Sequence, residues 1–148
     1  MIVNAVSSDA DTLTKIALES KAIWGYTAAQ IESWTEELTV SQKMVEEMIV
    51  FKFLQNEMIT GFCILNKPIE DKVELEFLFV LPEFLGKGIG KKLLHHSFKE
   101  SKNRNCKEMT LLADPFAEVF YESQGFKTIG QKESNVFNRF LPVMHRYL

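Results

Sequence analysis

Three glycines fall within five residues, in the stretch Gly86-Lys87-Gly88-Ile89-Gly90-Lys91, while the chain's other four stand alone. Glycine accepts backbone conformations that other residues avoid, so successive N–H groups in such a stretch can converge on one point. A helix that starts at the end of the loop adds about half a positive charge. A strand, this loop and a following helix therefore make a cradle for a phosphate or another anion. Two familiar phosphate loops are excluded. A Walker A loop ends in Gly-Lys-Ser/Thr, whereas Lys91 is followed by Lys92, and the dinucleotide fingerprint has one more residue between its last two glycines. Charge gathers at the same place. From Gly86 to Lys107 seven basic residues (Lys87, Lys91, Lys92, Lys99, Lys102, Arg104, Lys107) stand against one acid, Glu100, a local +6 in a chain of net −3, so the remainder carries −9. Lys91, His95, Lys99 and Lys102 recur at helical spacing and would draw a polyanion toward the loop. A tight strand–helix turn beside a solvated helix face accounts for the same residues without a ligand.

Other reactive residue types are sparse. His95, His96 and His145 show no metal-ligand spacing, so no metal is expected. Cys63 and Cys106 fit no zinc pattern and are too few for a disulfide framework, which points to a reducing, cytoplasmic compartment. No nucleophile–base arrangement stands out.

The elements that position these residues follow from periodicity. Residues 2–6 read as a strand, 12–24 as a helix broken at Trp24-Gly25-Tyr26, and 28–38 as a second helix capped by Thr27. Ser41 starts a short third helix, and strands over 48–54 and 58–66 flank a hairpin turn at Gln55-Asn56-Glu57. In the strand 73–81, alternation puts Val73, Leu75, Phe77, Phe79 and Leu81 on one face and Glu74, Glu76, Leu78 and Val80 on the other. Pro82 stops it. A helix over 88–102 has Ile89, Leu93, Leu94 and Phe98 as its inward stripe, and a strand follows at 107–112. Asp114-Pro115 then marks a helix start, with an acid at the N-cap and proline at N1, and that helix ends at Gly125. Strands over 126–132 and 138–147 complete an α+β chain. Its 148 residues fit one domain able to bury roughly 68–70% of its unfolded surface. Mild acidity disfavours nucleic acid, and no apolar run nears the roughly 20 residues of a membrane span. The start MIVNAVSSDA lacks the basic n-region of a leader.

Val80-x-Pro82, Gly86-x-Gly88-x-Gly90, Leu93-Leu94 and Asp114-Pro115-x-Ala117-x-x-Phe120-Tyr121-x-x-x-Gly125-Phe126 together resemble the acetyl-CoA motifs of the GNAT superfamily of N-acetyltransferases. The motif region covers about 73–130. Trp24-Gly25-Tyr26 and the ending Arg139-Phe140-Leu141-Pro142-Val143-Met144 are similar to one subgroup of single-domain bacterial-type members. The resemblance implies an α/β three-layer fold, with a mixed, mostly antiparallel sheet of about six or seven strands between helices. Its parallel fourth and fifth strands splay to form the acyl-CoA cleft. It also implies that the backbone of Leu78 and Val80 pairs with the pantetheine arm as an added strand would, and that Gly86, Lys87, Gly88, Ile89, Gly90 and Lys91 hold the diphosphate. The family loop usually opens with Gln or Arg where this chain has Leu85.

Acetyl transfer to an amine poses two proton problems: the ammonium must lose one before it attacks, and the leaving thiolate must gain one. Tyr121 is the candidate acid, since a phenol of pKa near ~10 is protonated at neutral pH. Glu74 and Glu76 are candidate bases, Glu76 being nearer the expected thioester. Asp114 is a helix cap that family members also use toward pantetheine, and Trp24 and Tyr26 stand where the family builds an acceptor wall. The expected activity is acetyl-CoA-dependent N-acetylation, by direct attack, of a small-molecule amine or an exposed protein amino group. Two alternatives are a CoA-binding sensor without turnover and an interaction domain with no CoA site. The apolar last strands are the candidate surface for a homodimer.

Overall fold

The computed structural model describes residues 1–134 and 139–148. Among them the chain forms a seven-stranded sheet in the order β1-β2-β3-β4-β5-β7-β6. The strands are β1 (Ile2–Asn4), β2 (Ile49–Gln55), β3 (Met58–Leu65), β4 (Lys72–Val80), β5 (Glu108–Leu112), β6 (Lys127–Glu133) and β7 (Phe140–Tyr147). The helices are α1 (Ala10–Ala22), α2 (Ala28–Ser33), α3 (Thr35–Leu38), α4 (Gln42–Glu47), α5 (Ile89–Asn103) and α6 (Glu118–Ser123). Adjacent strands pair antiparallel except β4 and β5, which are parallel. This is the expected mixed sheet between helical layers. The last expected strand began at Asn138, which lies outside the described residues.

Local chemistry explains most boundaries. Asn56 and Glu57 both take positive φ, 52° and 66°, the geometry of a two-residue hairpin whose twist matches its strands. Thr27 and Gln30 cap each other at the start of α2, and the Ser41 side chain accepts from the Met44 N–H at the start of α4. The helix expected over 28–38 is two helices. Trp34, with φ −99° and ψ 0°, breaks it where the indole turns inward to 3% exposure. Asp114 caps the 3₁₀ turn Pro115–Ala117, which leads into α6.

Two cores lie on opposite faces of the sheet. Leu93, Leu94 and Phe98 of α5 and Tyr121 of α6 pack with Val73, Leu75, Val80, Met109, Leu111 and Met144. Leu13, Ile16 and Ala17 of α1, with Trp34 and Leu38, pack with Phe62, Ile64, Phe77 and Leu81. The unbroken apolar row expected along β4 is therefore incorrect. The pairing steps from Ile64↔Phe77 to Leu65↔Leu75, leaving Glu76 without an opposite number, and this bulge exchanges the two faces. Val73 and Leu75 share the α5 side with Leu78 and Val80, whereas Phe77 and Leu81 face α1. Glu74, which alternates with Val73 and Leu75, is thus on the opposite face from Leu78 and Val80.

Candidate active site

The cleft begins where two strands part. The β4–β5 ladder runs from Lys72↔Glu108 to Leu75↔Leu111 and ends there, although β4 continues to Val80. Beyond it Ala113 donates its N–H to Pro142 O, so the end of β5 follows β7 and leaves β4. The Leu81 N–H donates to Thr60 O at 2.8 Å. In an antiparallel ladder, alternate residues then turn their polar groups to β3, which leaves those of Leu78 and Val80 facing the gap. A strip of unpaired backbone lies open to an extended ligand.

The gap widens into a cleft of about 730 Å³ that reaches the glycine loop at one end and α1 and α3 at the other. Gly86 and Gly88 take φ of +78° and +77°, which side-chain-bearing residues rarely adopt. Gly88 is the cap of α5, and its carbonyl accepts the first helical bond from the Lys92 N–H at 3.0 Å. The N–H groups of Ile89, Gly90 and Lys91 precede that bond and have no carbonyl within the helix to meet. Gly86, Gly88, Ile89, Gly90 and Lys91 all line the cleft, as does Leu85, whereas Lys87 does not. The Lys87 ammonium lies 5.1 Å from the centre of the Phe84 ring.

Tyr121 lines the same cleft, 8% exposed and packed edge-on against Phe120 and Phe126. Burial, aided by nearby negative charge at Asp114, pushes its phenol well above the ordinary tyrosine range and keeps it protonated. Glu76 reaches the cleft through the bulge, and Glu74 is not among the lining residues. Both carboxylates accept from the Asn66 amide, at 2.6 Å for Glu74 and 3.0 Å for Glu76. Partial burial, then the neighbouring charge of Glu76, raises Glu74 above the usual glutamate range against the opposing pull of Asn66.

Asp114 sits at the centre of a charge network (Lys21, Tyr26, Arg139) that spacing along the chain did not reveal. Its carboxylate accepts from Lys21 Nζ at 2.5 Å, from the Tyr26 hydroxyl at 3.0 Å, from Arg139 at 3.0 Å and from the Phe116 N–H at 3.0 Å. Burial works to raise this carboxyl, but the hydrogen bond and charge of Lys21 outweigh it and hold Asp114 below the ordinary aspartate range. Burial also pulls the Lys21 ammonium below the usual lysine range, an effect Asp114 opposes without fully offsetting. Tyr26 is pushed up to about 12 by burial and by Asp114. Tyr26 packs edge-on against Trp34 and is not itself a lining residue. Trp24 does line the cleft and stacks on Phe116, the ring centres 5.6 Å apart.

Lys21, Glu37, Phe116, Lys132, Glu133 and Arg139 also line the cleft and had been given no site role from the sequence. Phe116 carried a nearby signal in its place beside the Asp114-Pro115 cap, and Arg139 in its place at the head of the family-like ending. Among the described residues, no group of three or more His, Cys, Asp or Glu is placed to hold a metal ion, and no helix is long and apolar enough to cross a membrane.

An open strip of strand backbone, a left-handed glycine loop at a helix N-terminus and a protonated phenol in one cleft fit a long thioester that carries a diphosphate. Comparison with known proteins agrees. A spermidine N(1)-acetyltransferase of Thermoplasma acidophilum is 33% identical over 138 residues, covering 80% of this chain and 83% of that protein. The crystal structure of PaiA N-acetyltransferase from Thermoplasma acidophilum, in complex with coenzyme A, has a TM-score of 0.81 at 25% identity, covering 100% of this chain and 98% of that one. A GCN5-related N-acetyltransferase from Rhodopseudomonas palustris shares the fold, with a TM-score of 0.83 at 18% identity over 100% of this chain and 95% of that one. The acetyltransferase (GNAT) domain family matches residues 11–145, so the chain belongs to the GNAT family and is an N-acetyltransferase with acetyl-CoA as its cosubstrate.

Proposed function

We propose that the acceptor is a cationic, polyamine-like small molecule. One observation carries this reading. Three exposed carboxylates, Glu37, Glu76 and Glu133, line the cleft beside one exposed cation, Lys132, while the half-buried Lys21 and Arg139 are both bound to Asp114. The exposed carboxylates outnumber the exposed cation beside them, and the other two cations are already paired. The stacked Trp24 and Phe116, 37% and 56% exposed, add an aromatic surface over which an alkylammonium can lie. The spermidine acetyltransferase relative supports the same class.

Bound acetyl-CoA supplies the acyl group as a thioester. The amides of Leu78 and Val80 receive its pantetheine arm, and Gly86–Lys91, with the α5 N-terminus, receives its diphosphate. Glu76 takes the proton from the acceptor ammonium, directly or through water. The neutral amine then forms the C–N bond as the C–S bond breaks, Tyr121 gives its proton to the departing sulfur, and the surplus proton on the new amide nitrogen returns to the phenolate, directly or through water. Glu74, behind Glu76 and joined to it by Asn66, modulates that base. Trp24 forms part of the acceptor wall, and Tyr26 acts through Asp114. The chain works as one catalytic domain over 1–148 in a reducing, cytoplasmic compartment, with its last strands as the surface for a homodimer.

The test is thiol release from acetyl-CoA against a panel of polyamines, neutral amines and amino acids at matched concentration. Polyamines should show the highest kcat/KM, and Glu37→Gln and Glu133→Gln should lower it by raising KM. Preference for an acceptor that carries a carboxylate would refute the class.

A further inference from the structure

Arg139, at the entrance to β7, is half-buried and makes more separate connections than its place in the sequence explains. One terminal nitrogen donates to Ser134 Oγ at 3.1 Å. The other donates to the Tyr26 hydroxyl at 3.0 Å and to Asp114 Oδ2 at 3.0 Å. The guanidinium lies 4.6 Å from the centre of the Trp34 ring and 5.0 Å from that of Tyr26. Lys21 approaches the same two rings, at 5.6 and 5.9 Å, and the same carboxylate. Three stretches of chain meet on this planar group, the turn into α2 with Trp34, the end of β5, and Ser134 just past β6, and the end of α1 joins them through Asp114 and the same two rings. The partners are 113 and 25 residues away along the chain.

We propose that Arg139 is a positioning residue for the acceptor wall, tying the Trp24–Trp34 segment to the end of β5 and to the approach to β7, so that the acceptor half of the cleft holds one width. This rests on the reading that the acceptor enters along Trp24, Phe116 and Glu37. The guanidinium suits the task because its donors are fixed in one plane and bond in different directions while its face lies on an aromatic ring. A lysine ammonium supplies the charge but neither the plane nor the second nitrogen. The cofactor half is separate: none of the contacts of Arg139 involves Gly86–Lys91 or the backbone of Leu78 and Val80. Asp114 joins the two halves, because it also caps the turn leading to α6 and Tyr121.

The test compares wild type with Arg139→Lys and Arg139→Gln. Arg139→Gln should raise the acceptor KM at least tenfold and leave the acetyl-CoA KM within about twofold. Arg139→Lys should fall between, since it restores charge without the planar fork. Hydrogen exchange, read without any acceptor, should quicken in residues 22–34 and 113–118 and stay unchanged in 89–100. Equal shifts in both KM values, a fall in kcat alone, or Arg139→Lys indistinguishable from wild type would overturn the proposal. If Arg139→Gln does not fold, Arg139→Lys decides by the same readouts. If no polyamine is acetylated, the acceptor reading fails, while the exchange pattern still decides whether Arg139 ties these segments.

Discussion

Asp114→Asn removes one charge and little else. The amide keeps an oxygen that can accept from the Phe116 N–H, so the cap survives, but Lys21 and Arg139 lose their shared anion. All three side chains are largely withdrawn from water, at 9% exposure for Asp114, 14% for Lys21 and 13% for Arg139. Breaking a buried pair by neutralising one partner costs about 3–5 kcal/mol, because the remaining charge stays desolvated. At ~3 °C per kcal/mol for a chain of this size, Tm should fall by about 9–15 °C. Urea unfolding at pH 7 measures the loss directly, with an unchanged m-value required. The pH dependence has a definite sign. Asp114 is held below its unfolded value, so its stabilisation is present above ~3.9 and disappears as pH falls through the folded pKa. Wild type and variant should therefore converge in acid. A second removal sharpens the test: Asp114→Asn/Lys21→Met should be more stable than Asp114→Asn alone, because one orphaned cation is gone. A loss below about 1 kcal/mol, or strict additivity of Lys21→Met with Asp114→Asn, would show that the network is not a coupled unit.

Four further outcomes follow. Tyr121→Phe should keep its melting temperature within a few degrees and lose about 10²-fold in kcat, the low end for a single proton-transfer group; equal rates would remove Tyr121 from the reaction. Acetyl-CoA at 100 times its Kd should stabilise the protein by about 2.7 kcal/mol, seen as a rise in melting temperature, and no rise would contradict the cofactor cleft. Gly88→Ala meets no atom within 4 Å but must hold φ +77°, at a cost of roughly 1–2 kcal/mol. Its acetyl-CoA KM should rise more than its acceptor KM, and the reverse would misplace the cradle. Glu74→Gln should stabilise the protein at pH 7 and not at pH 4, as compared by urea midpoints. The carboxyl of Glu74 sits above its unfolded value, so wild-type stability declines as pH rises through that window; a variant less stable than wild type at pH 7 would reverse the sign.

The glycine-loop end of the cleft was legible in the sequence and the end around Asp114 was not, for a physical reason. A phosphate cradle is built from consecutive residues. Gly86, Gly88 and the start of α5 are one local object, so their types and spacing announce it. The splay of β4 and β5 was expected from family resemblance, but the one-residue bulge at Glu76, immediately past the last β4–β5 pair, leaves no mark in an alternating string such as VELEFLFVL. That bulge is why alternation misplaced Leu78 and Val80 relative to the glutamates. It also separates the candidate bases, turning Glu76 into the cleft and leaving Glu74 behind it.

The proposed acceptor wall is assembled from contacts across long stretches of chain, and charge complementarity at such distance has no periodicity to read. Lys21 on its own is one more helix lysine, Arg139 one more basic residue before a strand, and Asp114 a sufficient cap. Only folding shows that a carboxylate needed for a local turn also neutralises two cations 93 residues before it and 25 after it. A residue with a plain structural duty is thus not thereby free of a functional one. The cap, through Oδ1, fixes where α6 and Tyr121 begin, and the other oxygen of the same carboxylate, Oδ2, fixes where Lys21 and Arg139 stop. Substitutions at Asp114 should accordingly disturb both substrates, whereas those at Arg139 should disturb the acceptor alone. That contrast separates a group shared by the two halves of the cleft from one that serves a single half.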